Sequence, residues 1–162
     1  MSASRRPELK MWARIAAILF VVVTIGIQVI RPERPRGELH DDGKLNEFVA
    51  VPGSVDSLLR RSCYDCHSDE TRWPWYAQVA PVSWLLTRDV QHGRSNLDFS
   101  GWSVDTALEP TPTQRLTWMC QDVRRRIMPP YLYILLHPRA RLSDSETNAL
   151  CAWTQRSASV PL

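Results

Sequence analysis

The stretch Cys63-Tyr64-Asp65-Cys66-His67-Ser68 decides how the rest of the chain is read. Two cysteines stand two residues apart, and a histidine follows the second directly. C-x-x-C-H is the attachment pattern of a c-type haem. In that chemistry two thiols add across the two vinyl groups of a porphyrin, and the next residue offers an imidazole to the iron. The two intervening residues let the cysteines span the vinyl positions while the chain turns into a helix. The pattern therefore predicts one covalent haem c, with Cys63 and Cys66 binding the cofactor and His67 as proximal metal ligand. Two other chemistries use paired cysteines. A thioredoxin-like redox pair sits in a βαβ context, and no such pattern is visible. A zinc site would bring a second C-x-x-C or an H-x-x-x-H, and the chain has neither.

The 162 residues suit one anchor and one domain. Four cysteines are too few for a disulfide scaffold. The formal charge of +3 is local: Arg5, Arg6, Lys10 and Arg14 against Glu8 account for all of it, and the remainder is neutral. The basic pI thus belongs to the N-terminal flank, and nucleic acid is not an expected partner. From Trp12 to Ile30 the chain is nearly all apolar. As a helix this stretch reaches about 28 Å, enough for a bilayer core. Trp12 sits where an interfacial aromatic belongs, and Arg14 can snorkel to the headgroups. Residues 27–36, Ile-Gln-Val-Ile-Arg-Pro-Glu-Arg-Pro-Arg, hold no small-x-small cleavage pattern, which favours an uncleaved anchor over a signal peptide. Haem c attachment takes place outside the bacterial cytoplasm. The expected location is therefore the inner (cytoplasmic) membrane, crossed once, with the head in the periplasm.

Residues 31–53 are rich in Pro, Gly and charge and read as a linker. Ser54 is a candidate N-cap, and Val55, Leu58 and Leu59 form a helical stripe leading into Cys63. After the motif, Trp73-Pro74-Trp75-Tyr76 and Ala80-Pro81-Val82-Ser83-Trp84-Leu85-Leu86 are dense in aromatic and apolar residues. They are core by the plainer reading; by the sharper one they wall the porphyrin, with Trp75 against it and Arg72 or a tryptophan donating to a propionate. Pro81 can start a helix, Gly93 can cap its end, and Arg94 in the loop beyond is a further candidate cofactor contact.

Met128-Pro129-Pro130 offers a second axial ligand. A thioether favours ferrous iron and raises the potential, and the following proline stiffens the loop that presents it. His92 is the rival distal ligand, and bis-histidine ligation would lower the potential. Met119 falls on the inner face of a helix predicted over 113–126, and His137 precedes Pro138 in a turn. Ser143-Asp144-Ser145-Glu146 is a capping box opening a last helix with Leu150 and Trp153 on one face. In c-type cytochromes the last helix crosses the one before the haem motif, so these two side chains should meet Leu58 or Leu59. Cys120 and Cys151 fall on inner helix faces, either as a disulfide or as two buried thiols.

Three blocks taken together, CYDCHSDETRWPWYAQVAPVSWLL, HGRSNLDFSGW and MPPYLYILLHPRARLSDSE, resemble the small bacterial haem-binding domain family, a relative of c-type cytochromes. Its markers are C-x-x-C-H-S, W-P-W-Y and M-P-P-x-x-Y, and the likeness covers about residues 50–156. The resemblance implies covalent haem c and a helical fold, and brings no reaction with it. The expectation is an all-α chain: a cytoplasmic flank at 1–11, a transmembrane helix at 12–30, a linker at 31–53, a cytochrome c-like domain with long loops at 54–157 and a tail at 158–162. Its expected work is one-electron transfer with unidentified redox partner proteins, as a carrier and not an enzyme. The alternatives are a haem-based sensor or small-ligand binder whose distal site opens, or peroxidase-like chemistry using His92 and Arg94.

Overall fold

A computed structural model describes residues 5–35, 43–102 and 110–159. All regular structure among them is helical. The chain forms two compact units, one from residues up to Arg34 together with Pro74–Arg88, the other from Pro35–Trp73 and Asp89 onward.

The first unit is built on α1, Arg5–Ile27. Its apolar part, Glu8–Ile27, has 20 residues and a mean hydropathy of 1.9, and none of it is buried in the protein. At 1.5 Å per residue it is long enough to cross a bilayer. Its polar side chains bond the helix itself: Thr24 Oγ1 donates to the Phe20 carbonyl at 2.8 Å. A short 3-10 turn, Trp75–Gln78, and the start of α5, Val82–Asn96, complete this unit.

The second unit holds the core. It contains α2 (Leu45–Phe48), α3 (Gly53–Ser62), α4 (Tyr64–His67), the end of α5, α6 (Pro112–Arg124), α7 (Tyr131–Leu136) and α8 (Asp144–Ala158). Leu58 and Leu59 of α3 share one apolar cluster with Leu116, Met119 and Val123 of α6 and Leu150 and Trp153 of α8. The last helix thus packs where its stripe predicts, and Met119 is core. Leu45 and Val49 are buried in the same cluster although they lie in the span whose composition reads as a linker. Proline, glycine and charge dominate that span, and two apolar side chains inside it suffice to fold part of it onto the core. Residues 36–42 of that span and 160–162 of the expected tail lie outside the described residues.

Local signals explain the helix ends. Pro52, not Ser54, occupies the N-cap of α3; proline satisfies the start by its fixed φ and missing N–H. Thr111 caps α6 and Ser143 caps α8, each reciprocally with the glutamine or glutamate three residues on. Helix α5 continues through Gly93 to Asn96 where the sequence suggests a cap; a close packing contact, described below, requires the glycine there. Cys120 and Cys151 form a disulfide joining α6 to α8.

Two outcomes follow. The bridge closes a separation of 31 residues, so on the chain-entropy account replacing both cysteines with serine should cost about 3–4 kcal/mol, read as a lower melting temperature. Glu146 accepts from the Ser143 backbone and pairs with Arg61 at 2.8 Å, which holds its carboxyl down at about 2 against an ordinary 4.5. A depressed acid stabilises the fold above its ordinary value and loses that contribution as pH falls towards the folded one. Glu146→Gln should therefore flatten the fall in melting temperature between pH 4.5 and 2.

Candidate functional site

The cysteine–histidine turn closes on itself. Cys63 leaves the helical region at the end of α3, and its carbonyl accepts from Cys66 N at 3.1 Å and His67 N at 3.0 Å. This single turn places two side chains three residues apart on one side of the backbone. Both thiols are free, in contrast to the other cysteine pair. Burial pushes Cys63 up to about 12 and Cys66 to about 11. A redox dithiol depends on a lowered thiol pKa; these two stay protonated at neutral pH. Among the described residues no group of three or more His, Cys, Asp or Glu side chains is placed to hold a bare metal ion.

The imidazole of His67 is oriented from behind. Its Nδ1 lies 2.8 Å from the Leu97 carbonyl oxygen. A carbonyl only accepts, so Nδ1 carries the proton and Nε2 keeps its lone pair. Metal-ligating histidines use this arrangement, one ring nitrogen donating to a fixed acceptor and the other left for the metal. Burial lowers the His67 pKa, partly opposed by hydrogen bonding to the Leu97 and Gly93 carbonyls, a shift that favours the neutral ring. Phe99 N donates to the His67 carbonyl at 2.8 Å, and the Phe99 ring stands 6.0 Å from the imidazole.

The end of α5 presses on this turn through Gly93. A Cβ there would collide with the backbone carbonyl of Cys66. Arg94 ties surrounding segments together, donating to the Pro35 carbonyl at 3.3 Å and to Thr71 Oγ1 at 3.0 Å. His92 is exposed on the same helix, its carbonyl accepting from Asn96 Nδ2 at 2.7 Å.

A third restraint comes from Asp65, between the two cysteines. Its Oδ2 accepts from the Tyr133 hydroxyl at 2.7 Å, and its Oδ1 accepts from Arg72 N at 3.2 Å. Arg72 Nε stands 3.5 Å from the same carboxylate, with a side chain 76% exposed. Burial, helped by Asp65, pushes the Tyr133 phenol up, so it remains a donor. Tyr133 is the tyrosine of Met-Pro-Pro-x-x-Tyr, so one hydrogen bond joins the two motifs.

Met128 is delivered by a sharp helix stop. Arg126 adopts φ 57, Arg126 N bonds the Val123 carbonyl, and Ile127 N bonds the Asp122 carbonyl. This is a Schellman turn with arginine where glycine is usual. Met128 then packs against the core cluster, as do Cys63, Tyr64 and Leu97. A cavity of about 180 Å³ beside it is lined by Met128, Pro129, Tyr131, Ile134 and Leu142 among others; neither cysteine nor His67 lines it. Helix α7 buries none of its side chains, and Leu132, Leu135 and Leu136 are exposed. His137, at its end, stacks on Tyr133 with ring centroids 4.5 Å apart.

The second unit thus holds Cys63, Cys66, His67, Arg72, Arg94 and Met128, while Trp75 belongs to the first and is 79% exposed. Leu97, Asp65 and Tyr133 have no role assigned from sequence, and Gly93 reads there only as a helix cap, because a close approach and two long-range hydrogen bonds leave no local pattern. Their presence inside three uncommon blocks was the available signal.

The family model described as a haem-binding domain matches residues 22–156. The chain belongs to the haem-binding domain family. It is accordingly a haem-binding protein, and the turn with its two free thiols and lone-paired imidazole fits that cofactor. No curated protein and no solved structure matches the chain. The haem-binding domain therefore rests on its own geometry for any finer reading.

Tyr133→Phe removes one charge-assisted hydrogen bond and should cost about 1.5–3 kcal/mol, with Asp65→Asn adding little in the double variant; urea unfolding checks both. Gly93→Ala should separate α5 from the cysteine turn and greatly reduce haem incorporation, read as the ratio of haem to protein absorbance.

Proposed function

We propose that this protein is a membrane-anchored, mono-haem c-type cytochrome that carries single electrons on the outer side of the cytoplasmic membrane, facing the periplasm. The observation that carries the reading is the His67 imidazole, its Nδ1 held by the Leu97 carbonyl, one residue after two cysteines that are not bridged to each other. Cys63 and Cys66 would form the thioethers, and His67 the proximal bond. Bound haem c supplies a one-electron Fe(III)/Fe(II) couple, with a potential set by axial ligands and burial.

The chain's own residues do the rest. Leu97 fixes the ring and its tautomer. Gly93 and Asp65 hold the cysteine turn against α5 and α7. Met128 is the distal ligand in this reading, and its thioether would raise the potential while keeping small ligands out. Exposed Leu132, Leu135 and Leu136 follow within one helix of the Tyr133–Asp65 bond, and a porphyrin would cover such apolar area. Arg72, largely exposed beside Asp65, is available to a propionate.

Location follows from chemistry on both sides of the site. Helix α1 is long and apolar enough to anchor the chain. The Cys120–Cys151 bridge suits an oxidising compartment, the same one in which haem c is attached. A second reading, a sensor or small-ligand binder, draws on the cavity beside Met128, which gives that side chain room to move.

Carbon monoxide separates the two. The reduced protein should bind it slowly or not at all, Met128→Ala should bind it readily, and the same substitution should lower the midpoint potential. Rapid binding by the unaltered protein would overturn the carrier reading in favour of an open distal site.

A further inference from the structure

Residues 74–87 carry no charged side chain, a stretch that includes the Trp-Pro-Trp-Tyr block's last three residues. They are not core. Trp75, Val79, Val82 and Leu85 are 79%, 43%, 37% and 56% exposed. An uncharged segment with four large apolar groups facing outwards is unusual on a surface meant for water.

Its attachment point says what it faces. Gln28 follows directly on α1 and grips Ala80 twice, the Ala80 N–H donating to Oε1 at 2.9 Å and Nε2 donating to the Ala80 carbonyl at 3.2 Å. Arg34 donates to the Ala77 carbonyl at 3.3 Å. The Trp84 indole N–H donates to the Ile30 carbonyl at 2.8 Å. Ile30 is the last apolar residue before Arg31, so these bonds lie at the exit of the apolar span.

Further bonds at the same place finish the helix. The carbonyls of Ile25, Gly26 and Ile27 accept from Gln28, Val29 and Ile30 N at 3.1–3.2 Å, and that of Thr24 accepts from Gln28 Nε2 at 3.0 Å. Terminal helix carbonyls are met by water, by side chains or by a tightened last turn. Here the chain satisfies them itself, as a segment at the edge of hydrocarbon must.

We propose that residues 74–86 form an interfacial foot that lies in the lipid headgroup layer where α1 leaves the bilayer. Trp75 and Trp84 then serve as belt aromatics, apolar ring inward and N–H to a polar partner. Val79, Val82 and Leu85 enter the upper acyl region, and Arg31 meets the phosphates. The occupant of this surface is the bilayer itself, since it continues the apolar surface of α1. The proposal rests on the reading that α1 spans a membrane. It gives Trp75 a lipid to face instead of a porphyrin.

The test uses the full, haem-loaded chain labelled with 5-fluorotryptophan, in phosphatidylcholine nanodiscs containing a lanthanide-chelating headgroup lipid. Trp75→Phe, Trp12→Phe and Trp118→Phe assign three fluorine signals. Comparing gadolinium with lanthanum discs cancels the effect of the haem iron. The Trp75 and Trp12 signals should be lost in gadolinium discs. A neutral water-soluble gadolinium chelate, added to lanthanum discs, should broaden Trp118, which is 50% exposed, more than Trp75. A Trp75 signal that survives while Trp12 is lost, or that the soluble chelate broadens as much as Trp118, overturns the foot and leaves the anchor standing. Survival of both signals overturns the anchor as well.

Discussion

The hydrogen bond from His67 Nδ1 to the Leu97 carbonyl is the constraint on which the site depends. It sets the tautomer and fixes the ring plane. For it to exist, the chain after α5 must come back against the cysteine turn. That return needs α5 to lie close enough that a side chain at position 93 would strike Cys66. A glycine therefore stands inside a helix, where it lowers intrinsic helical stability by about 1 kcal/mol relative to alanine. The cost is local, and the gain is an imidazole whose ring is held in one orientation.

The turn is held from a second side by Asp65. Its carboxylate accepts from Tyr133 and from the Arg72 backbone. The residue between the cysteines thus couples the C-x-x-C-H motif to the Met-Pro-Pro-x-x-Tyr motif, across a sequence separation of 68. In the proposed reading a ligand as weak as a thioether would need such positioning, and the Arg126 turn and Pro129 fix the backbone at Met128 from the other end. Both devices are backbone and polar in nature, while the apolar cluster of α3, α6 and α8 supplies the mass of the fold.

Much of this was legible in the sequence. The three blocks point to haem binding, which the family match supports, and the spacing of Cys63, Cys66 and His67 proposes how the haem is held. Capping residues and 3.6-residue periodicity locate α6 and α8, and the likeness to c-type cytochromes implies the packing of α8 on α3 that the core shows. The disulfide stayed open because pairing needs geometry that spacing does not give. Gly93 reads as a helix end because glycine does two jobs, capping and close approach, and only the neighbour across the gap tells them apart. Residues 43–51 read as linker because composition averages over a window and hides two buried side chains, Leu45 and Val49. Trp75 reads as porphyrin wall because an aromatic rich in area suits core, cofactor and membrane surface alike; its exposure removes only the first of these.

The claim on which all else turns is that one haem is bonded to this chain through Cys63 and Cys66. Intact mass of the full chain, matured in cells that attach haem c and measured after unfolding and alkylation, tests it directly. The account predicts a single species heavier by one haem, with neither Cys63 nor Cys66 alkylated. A polypeptide of unmodified mass that takes an alkyl group on both thiols, its colour lost to the solvent, would contradict it.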